Sequence, residues 1–344
     1  MTEIDFVIAW VDGADPAWRE EFSKYRASSL QAGADSSLQS NVAAGLEDAA
    51  PSRYRDWDNL QYWFRSVEKF TPWVRKIHFV TWGHLPPWLD TSNPKLNIVK
   101  HGGILSEKYL PVFNINPLEI SLHRIEGLCE HFVFFNDDTF IGRPLPPERF
   151  FRGGLPCDTA RLGIIAPSSI SHIILNDVEL INARHDKRRA MRGNMCKWFD
   201  RRYLVGDMLK TLTLMPWSSF AGFKDTHMPQ PFLRSTFEKM WREEEPRLAV
   251  TLGHRFRSLL DYNQYLMRYE QLVSGEFVPV SDRDVRLDML GEECIREICR
   301  YIVGQEYAMF CLNDSDAITD FEALRDKLRR AFDSILPEKS SYEL

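Results

Sequence analysis

Residues 131–136 read His-Phe-Val-Phe-Phe-Asn, and Asp137 and Asp138 follow at once. A run this apolar and this short, with no polar alternation, is what a strand covered on both faces requires. Such strands lie inside largely parallel α/β sheets, whose ligands collect beyond the carboxyl ends of the strands. The two adjacent carboxylates therefore stand where chemistry is expected.

The rest of the first half fits that frame. Ile4 to Val11 (IDFVIAWV) is β-prone and stops at Asp12-Gly13. Lys76 to Trp82 and Leu96 to Lys100 read as further strands, parted by the turn-rich Leu85-Pro86-Pro87. Leu60, Trp63, Phe64 and Val67 fall at helical spacing, with Asp56 or Asp58 to cap the start. Asn116-Pro117 supplies a cap and first-turn proline for a helix with Leu118, Leu122, Ile125 and Leu128 on one face. The expected fold is α/β, a mixed and largely parallel sheet with flanking helices, followed by a helix-rich second half. That half carries a capping box at Ser235-Thr236-Phe237-Glu238 and helical stretches at about 256–273, 294–303 and 321–336. One domain over 1–336 is expected, with a mobile loop at about 27–51, a basic helical segment at about 184–215 and a tail at 337–344.

Several function classes drop out. A net charge of −6 gives no general footprint for nucleic acid. The six cysteines form no CxxC pair, which disfavours a zinc ribbon and a disulfide framework. GxxxxGK[ST], GxGxxG and GxSxG are all missing, which disfavours P-loop, dinucleotide-binding and α/β-hydrolase chemistry. The first residues lack a basic and apolar leader, and no window reaches the roughly 18 apolar residues of a membrane span. The expected location is the cytoplasm.

Asp137 and Asp138 repel one another unless a cation offsets them, and Mg²⁺ or Mn²⁺ favours such oxygen ligands. An Asx-type turn at a strand end is the alternative. His227, in Asp225-Thr226-His227-Met228-Pro229, suits proton transfer from a hydroxyl, or is a surface or capping histidine. Arg257 and Asp261 stand four apart; on a helix the carboxylate would hold the guanidinium toward a phosphate, or the two form an ordinary surface pair. Asn313-Asp314 is a second acidic element end. Arg55-Asp56 and Arg65 to Lys69 bracket the first predicted helix. Between Arg184 and Arg202, eight Lys or Arg face two acidic residues, which reads either as a solvated helix or as a contact with an anionic membrane face or phosphorylated glycan.

Together these motifs resemble the Stealth phosphotransferases, bacterial capsule and exopolysaccharide enzymes related to the lysosomal-enzyme N-acetylglucosamine-1-phosphate transferase. Ile4 to Asp15 is similar to the first signature region. Arg55-Asp56, Arg65 to Lys69, Pro72 to Arg75, Pro87-Trp88-Leu89 and Phe135 to Asp138 are similar to the second. His227-Met228-Pro229 with Arg255-Phe256-Arg257 and Asp261 matches the third, and Cys311-Leu312-Asn313-Asp314 the fourth. Pro337 to Ser341 resembles a common ending. Two stretches depart from the pattern, Gln61 to Phe64 and Ile115-Asn116-Pro117.

The resemblance implies a nucleotide-sugar-transferase-like fold and transfer of sugar-1-phosphate from a UDP-sugar to a glycan hydroxyl, with release of UMP. It implies Mg²⁺ or Mn²⁺ at Asp137 and Asp138, and catalytic roles for Asp138, His227, Arg257 and Asp261. Donor-binding positions are Trp10, Asp12, Arg55, Asp56, Arg65, Arg75, Arg255, Asn313 and Asp314. The expected partners are a nucleotide-sugar and a glycan acceptor, free or lipid-linked, with peripheral contact at the inner membrane face and no nucleic acid. The competing readings are a metal-dependent glycosyltransferase that releases UDP, and a glycan-binding protein without turnover.

Overall fold

The computed structural model describes residues 2–34 and 55–344. Its first half runs β1 (Ile4–Trp10), α1 (Pro16–Ala34), α2 (Leu60–Phe70), β2 (Lys76–Thr81), β3 (Leu96–Lys100), β4 (His131–Asn136), β5 (Thr139–Ile141), β6 (Phe151–Arg152) and β7 (Leu155–Asp158). The second half adds α3 (Ser171–Arg184), α4 (Lys187–Gly193), α5 (Val205–Leu214), β8 (Gln230–Leu233), α6 (Arg234–Leu252) and α7 (Gln264–Ser274). Then come β9 (Val278–Pro279), β10 (Val285–Met289), α8 (Ile295–Val303), β11 (Met309–Asn313) and α9 (Phe321–Ile335).

The main sheet has the order β3-β2-β1-β4-β8, parallel throughout except for the antiparallel edge strand β8. This is the expected mixed, largely parallel α/β arrangement. Along β4, Val133 and Phe135 enter one apolar cluster while Phe132 and Phe134 enter another. Alternate residues point to opposite faces of a strand, so both faces of β4 are covered and its sequence is apolar without a break. Phe135 is fully buried, and Phe135→Ala would cost about 3–5 kcal/mol.

A turn at Asp137-Asp138 carries the chain from β4 into a second sheet, β10-β11-β5, in which β5 runs antiparallel to β11. The third sheet is β6-β7-β9.

Several local expectations are corrected. Helix α1 continues to Ala34, so residues 27–34 are not loop; residues 35–51 of that expected loop lie outside the described residues. The helix expected after Asn116-Pro117 is one turn, Asn116–Glu119, with a 3₁₀ turn at Leu122–Arg124. Asn116 spends its side chain on Asp261 instead of a cap. Helix α2 starts after Asn59 without a side-chain cap; Asp56 accepts from the Asp58 N–H, and Asp58 pairs with Arg329. Ser235 donates its hydroxyl to Glu130, so no capping box forms at α6. The helix expected from Phe256 begins at Gln264, where the Asn263 side chain accepts from the Tyr265 N–H.

Among the described residues no helix is long and apolar enough to cross a membrane, and all six cysteines are free thiols.

Candidate active site

Parallel pairing puts the carboxyl ends of β1 and β4 side by side, and the chain leaves them at Asp12 and Asp137. The loop after β1 is pinned: the Asp12 N–H donates to His84 Nε2 at 2.6 Å, and Asp12 Oδ1 accepts from the Ala14 N–H. Burial lowers the His84 pKa, which favours the neutral ring that accepts here. The Trp10 indole meets the same ring edge-on at 5.3 Å.

The Asp137-Asp138 turn is pinned from the second sheet. Leu312 of β11 donates its N–H to the Asp138 carbonyl at 2.9 Å, and the Thr139 hydroxyl donates to the Asn136 carbonyl. This antiparallel register brings the end of β11, Asn313 and Asp314, toward the turn. Arg55 Nε lies 3.6 Å from Asp314 Oδ2, and its guanidinium covers the Phe321 ring.

His227 arrives from the segment before β8. Its backbone has φ +48°, in the left-handed region that costs a residue with a Cβ about 1–3 kcal/mol. The neighbouring structure holds it there. Two residues earlier, Asp225 accepts from Arg268 Nη1 at 2.8 Å and from the Tyr269 hydroxyl at 2.6 Å. Arg268 is fully buried and also forks onto Asp158 at 2.8 and 2.9 Å. A planar guanidinium satisfied on both edges is a rigid anchor, which lysine would not supply.

The result is a His–Asp contact, His227 Nε2 to Asp138 Oδ2 at 3.3 Å. The other carboxylate oxygen, Asp138 Oδ1, is buried with no hydrogen-bond partner. Cys311 completes a group with Asp138 and His227 whose potential ligand atoms lie within 4.8 Å of one another. Burial and the nearby Asp138 charge raise the Cys311 thiol pKa, so it stays protonated, and it donates to Asn313 Oδ1.

The electrostatics are those of an anionic recess. Asp137 keeps solvent-exposed surface, but the protein around it excludes much bulk water and pushes its pKa up to about 7. Asp138 and Asp56 add to that rise. Asp56 is also exposed, and its pKa is likewise raised, by the protein that displaces water around it and then by the charges of Asp58 and Asp12. Burial would lower the His227 pKa, but the Asp138 hydrogen bond and the charges of Asp138, Glu119 and Asp137 leave it raised. Accumulated carboxylates with an orphaned buried oxygen suit a divalent cation, which would reverse the carboxylate shifts. Asp138 and Asp137 are oxygen ligands of the kind Mg²⁺ or Mn²⁺ takes, and His227 adds a nitrogen that Mn²⁺ accepts more readily.

The charges are linked in a chain, Asp12 to Asp56, Asp56 to Asp137, and Asp137 to Asp138 and His227, with Asn313, Asp314 and Arg55 at the adjoining strand end. Arg257 lies close enough to Glu119 to stabilise its charge. Arg255 donates to the Leu110 carbonyl and sits over the Tyr25 ring at 5.0 Å.

Three expected site residues do other work. Asp261 is fully buried and does not ion-pair with Arg257; the segment between α6 and α7 is not helical, so i, i+4 spacing confers no shared face. Its carboxylate accepts instead from His254 Nδ1 at 2.6 Å, Asn114 at 2.7 Å, Asn116 at 2.9 Å and the Ser258 N–H at 3.0 Å. Arg75 precedes β2 and forks onto Asp5 near the start of β1, the opposite end of the sheet. Five to seven residues at about 3.3 Å each separate that end from Asp12. Arg65 forks onto Glu343 at 2.9 and 2.7 Å and donates to the Leu336 carbonyl, fastening the tail.

Glu119 was not singled out from sequence. It is buried against the site, its pKa pushed up to about 7 by that burial, against the pull of the Gln264 N–H, Arg257 and His227. Arg268 belongs to the site as well, and an arginine inside the otherwise buried run Tyr265 to Val273 is itself a signal of a paired charge.

Comparison with known proteins identifies the family. Residues 2–30 match the family model for Stealth protein CR1, conserved region 1, and residues 53–156 match that for Stealth protein CR2, conserved region 2. The chain is 35% identical over 345 residues to the capsular polysaccharide phosphotransferase WcwK of Streptococcus pneumoniae, covering 100% of this chain and 98% of that one. It is 36% identical over 350 residues to the receptor polysaccharide phosphotransferase WefC of Streptococcus gordonii, covering 100% of both. Among solved structures, it is similar to the galactosyltransferase LgtC at 11% identity and TM-score 0.38, over 98% of each chain. The chain belongs to the Stealth family of capsular and exopolysaccharide phosphotransferases.

Proposed function

We propose that the enzyme transfers a sugar-1-phosphate from a UDP-sugar, a UDP-N-acetylhexosamine or UDP-hexose, to a glycan hydroxyl and releases UMP. The acceptor oxygen attacks the β-phosphorus, the bond from that phosphorus to the bridging oxygen breaks, and UMP leaves with the electron pair. The observation that carries this reading is the divided Asp138 carboxylate, one oxygen on His227 and the other buried without a partner.

If His227 Nε2–H donates to Asp138, Nδ1 is the basic nitrogen, and a base oriented by a carboxylate suits removal of the acceptor proton. Mg²⁺ or Mn²⁺ held by Asp137 and Asp138 would supply charge neutralisation at the pyrophosphate. Arg257 and Arg255 are assigned to donor phosphate oxygens, where a planar fork binds two at once. Asp12, Trp10, Asp56, Arg55, Asn313 and Asp314 are assigned to the donor side of the recess. Phosphoryl-type transfer needs mainly such positioning and charge stabilisation. The enzyme would work in the cytoplasm on a free or lipid-linked glycan.

The test is incubation with a panel of nucleotide-sugars and Mg²⁺ or Mn²⁺, with the released nucleotide identified. Metal-dependent UMP supports the reading. UDP release makes the protein a glycosyltransferase, and no turnover with any donor and glycan removes the catalytic assignment.

A further inference from the structure

Helix α5 packs Met208 and Leu214 on the core yet exposes a second apolar stripe to solvent. Its polar residues Asp207 and Thr211 are buried, Asp207 ion-pairing with Arg161 and Thr211 accepting from the Leu162 N–H. Its outward face carries Val205, Leu209 and Leu212 at i, i+4 and i+7, a single helical stripe. With Trp217 just beyond the helix, these side chains are between 54% and 65% exposed. Scattered apolar residues on a surface need no explanation, but a contiguous stripe with an aromatic at its end does.

Cations surround the stripe. Lys210 lies on the helix and Arg201 in the turn before it. Lys187, which begins α4, is buried and donates to the carbonyls of Leu214 and Trp217, so Arg188 and Arg189 follow directly beside the end of α5. Arg188, Arg189, Arg201 and Lys210 are exposed and form no ion pair among the described residues. On a chain of net charge −6 this is a local reversal of sign.

We infer that α5 and Trp217 form a docking surface for an anionic lipid bilayer. A bilayer offers both complements at once, an apolar interior for the leucines and Trp217 and anionic headgroups for the cations. A soluble anionic glycan offers only the second. On its buried side the helix reaches the segment that carries His227: Lys224 Nζ lies 3.5 Å from Asp207 of α5 and stands three residues before His227.

The test is flotation of the full chain with phosphatidylcholine vesicles, with and without about 30% phosphatidylglycerol. Bound protein is expected to rise about tenfold or more with the anionic lipid and to fall again at high salt. Leu209→Glu with Leu212→Glu, and separately Arg188→Glu with Arg189→Glu, should each remove most of that binding. Val303→Glu, at an exposed apolar position on α8, should leave it unchanged. Donor turnover without vesicles should stay at the wild-type level in every variant, which separates failure of docking from failure of the catalytic reading. The inference is overturned if wild type stays unbound to anionic vesicles, or if the double leucine variant floats like wild type. It is also overturned if sedimentation velocity finds a dimer that the leucine variant abolishes, since the stripe would then belong to a second copy.

Discussion

Replacing Asp261 by asparagine tests how the segment carrying Arg255 and Arg257 is held. The native carboxylate takes three donors on Oδ2, from Asn114, Asn116 and Ser258, and one on Oδ1 from His254. An asparagine oxygen can keep the first three, with the His254 ring turned acceptor for the amide, but every bond loses its charge assistance. A hydrogen bond to a charged group is worth about 1.5–3 kcal/mol and a neutral one about 0.5–1.5, so the loss is about 1 kcal/mol per bond. Four bonds in one network give roughly 2–4 kcal/mol once non-additivity is allowed for. With about 2.1 cal/mol/K per residue, 344 residues unfold with about 0.7 kcal/mol/K, so Tm should fall by about 3–6 °C. Turnover should fall with it, because the loosened segment no longer fixes Arg257, while metal affinity holds. Differential scanning fluorimetry beside a donor-turnover assay measures both. If Tm stays within about 1 °C while turnover still falls, Asp261 acts in the reaction itself and not by holding the segment that carries Arg257, and the positioning argument is wrong.

Asp137→Asn and Asp138→Asn should each weaken metal-dependent donor turnover about 10–100-fold, read from a metal titration; wild-type curves in both would remove the metal assignment. Arg257→Lys keeps the charge but loses the planar fork, so transition-state stabilisation should drop by about 2–4 kcal/mol in kcat/KM. His227→Ala should reduce transfer about 10²–10⁴-fold with donor affinity nearly unchanged by calorimetry; equal damage to both would mean that His227 shapes the donor site. Asp5 is buried, which raises its pKa, but His78, Arg75 and the Cys129 N–H outweigh that and leave it below 3.8. Its contribution to stability is therefore full above about 3.8 and lost as pH falls through the lower folded value, so Asp5→Asn should flatten the acid limb of the Tm–pH profile.

The central strands were readable because each carries its own signal. HFVFFN needs cover on both faces, and β1, β2 and β3 are short β-prone runs closed by turns. Their carboxyl ends then located Asp12 and the Asp137-Asp138 turn. Strand β8, four residues with a proline, has no such signal and is defined by its pairing with β4. The segment between α6 and α7 misled for a related reason: Arg257 and Asp261 have helical spacing, but Asn114 and Asn116, about 145 residues away in sequence, dictate where the carboxylate goes. Arg75 is different, because its place at the amino end of the sheet is legible in the sequence. A residue before a parallel strand lies at the amino end of the sheet, away from the ligand edge. The Arg268 anchor that fixes His227 joins β7, the Asp225 loop and α7, a convergence that no local pattern encodes.

The most direct measurement of the central claim follows one oxygen. A UDP-sugar labelled with ¹⁸O between the sugar C1 and the β-phosphorus is turned over with metal and acceptor glycan, and product and nucleotide are read by ³¹P NMR and mass spectrometry. Attack on the β-phosphorus leaves the C1–¹⁸O–P linkage intact, so the label should appear in a phosphodiester on the glycan, beside unlabelled UMP. Label recovered in UDP, with no phosphorus on the glycan, would mean that the anomeric C–O bond breaks and would contradict the account.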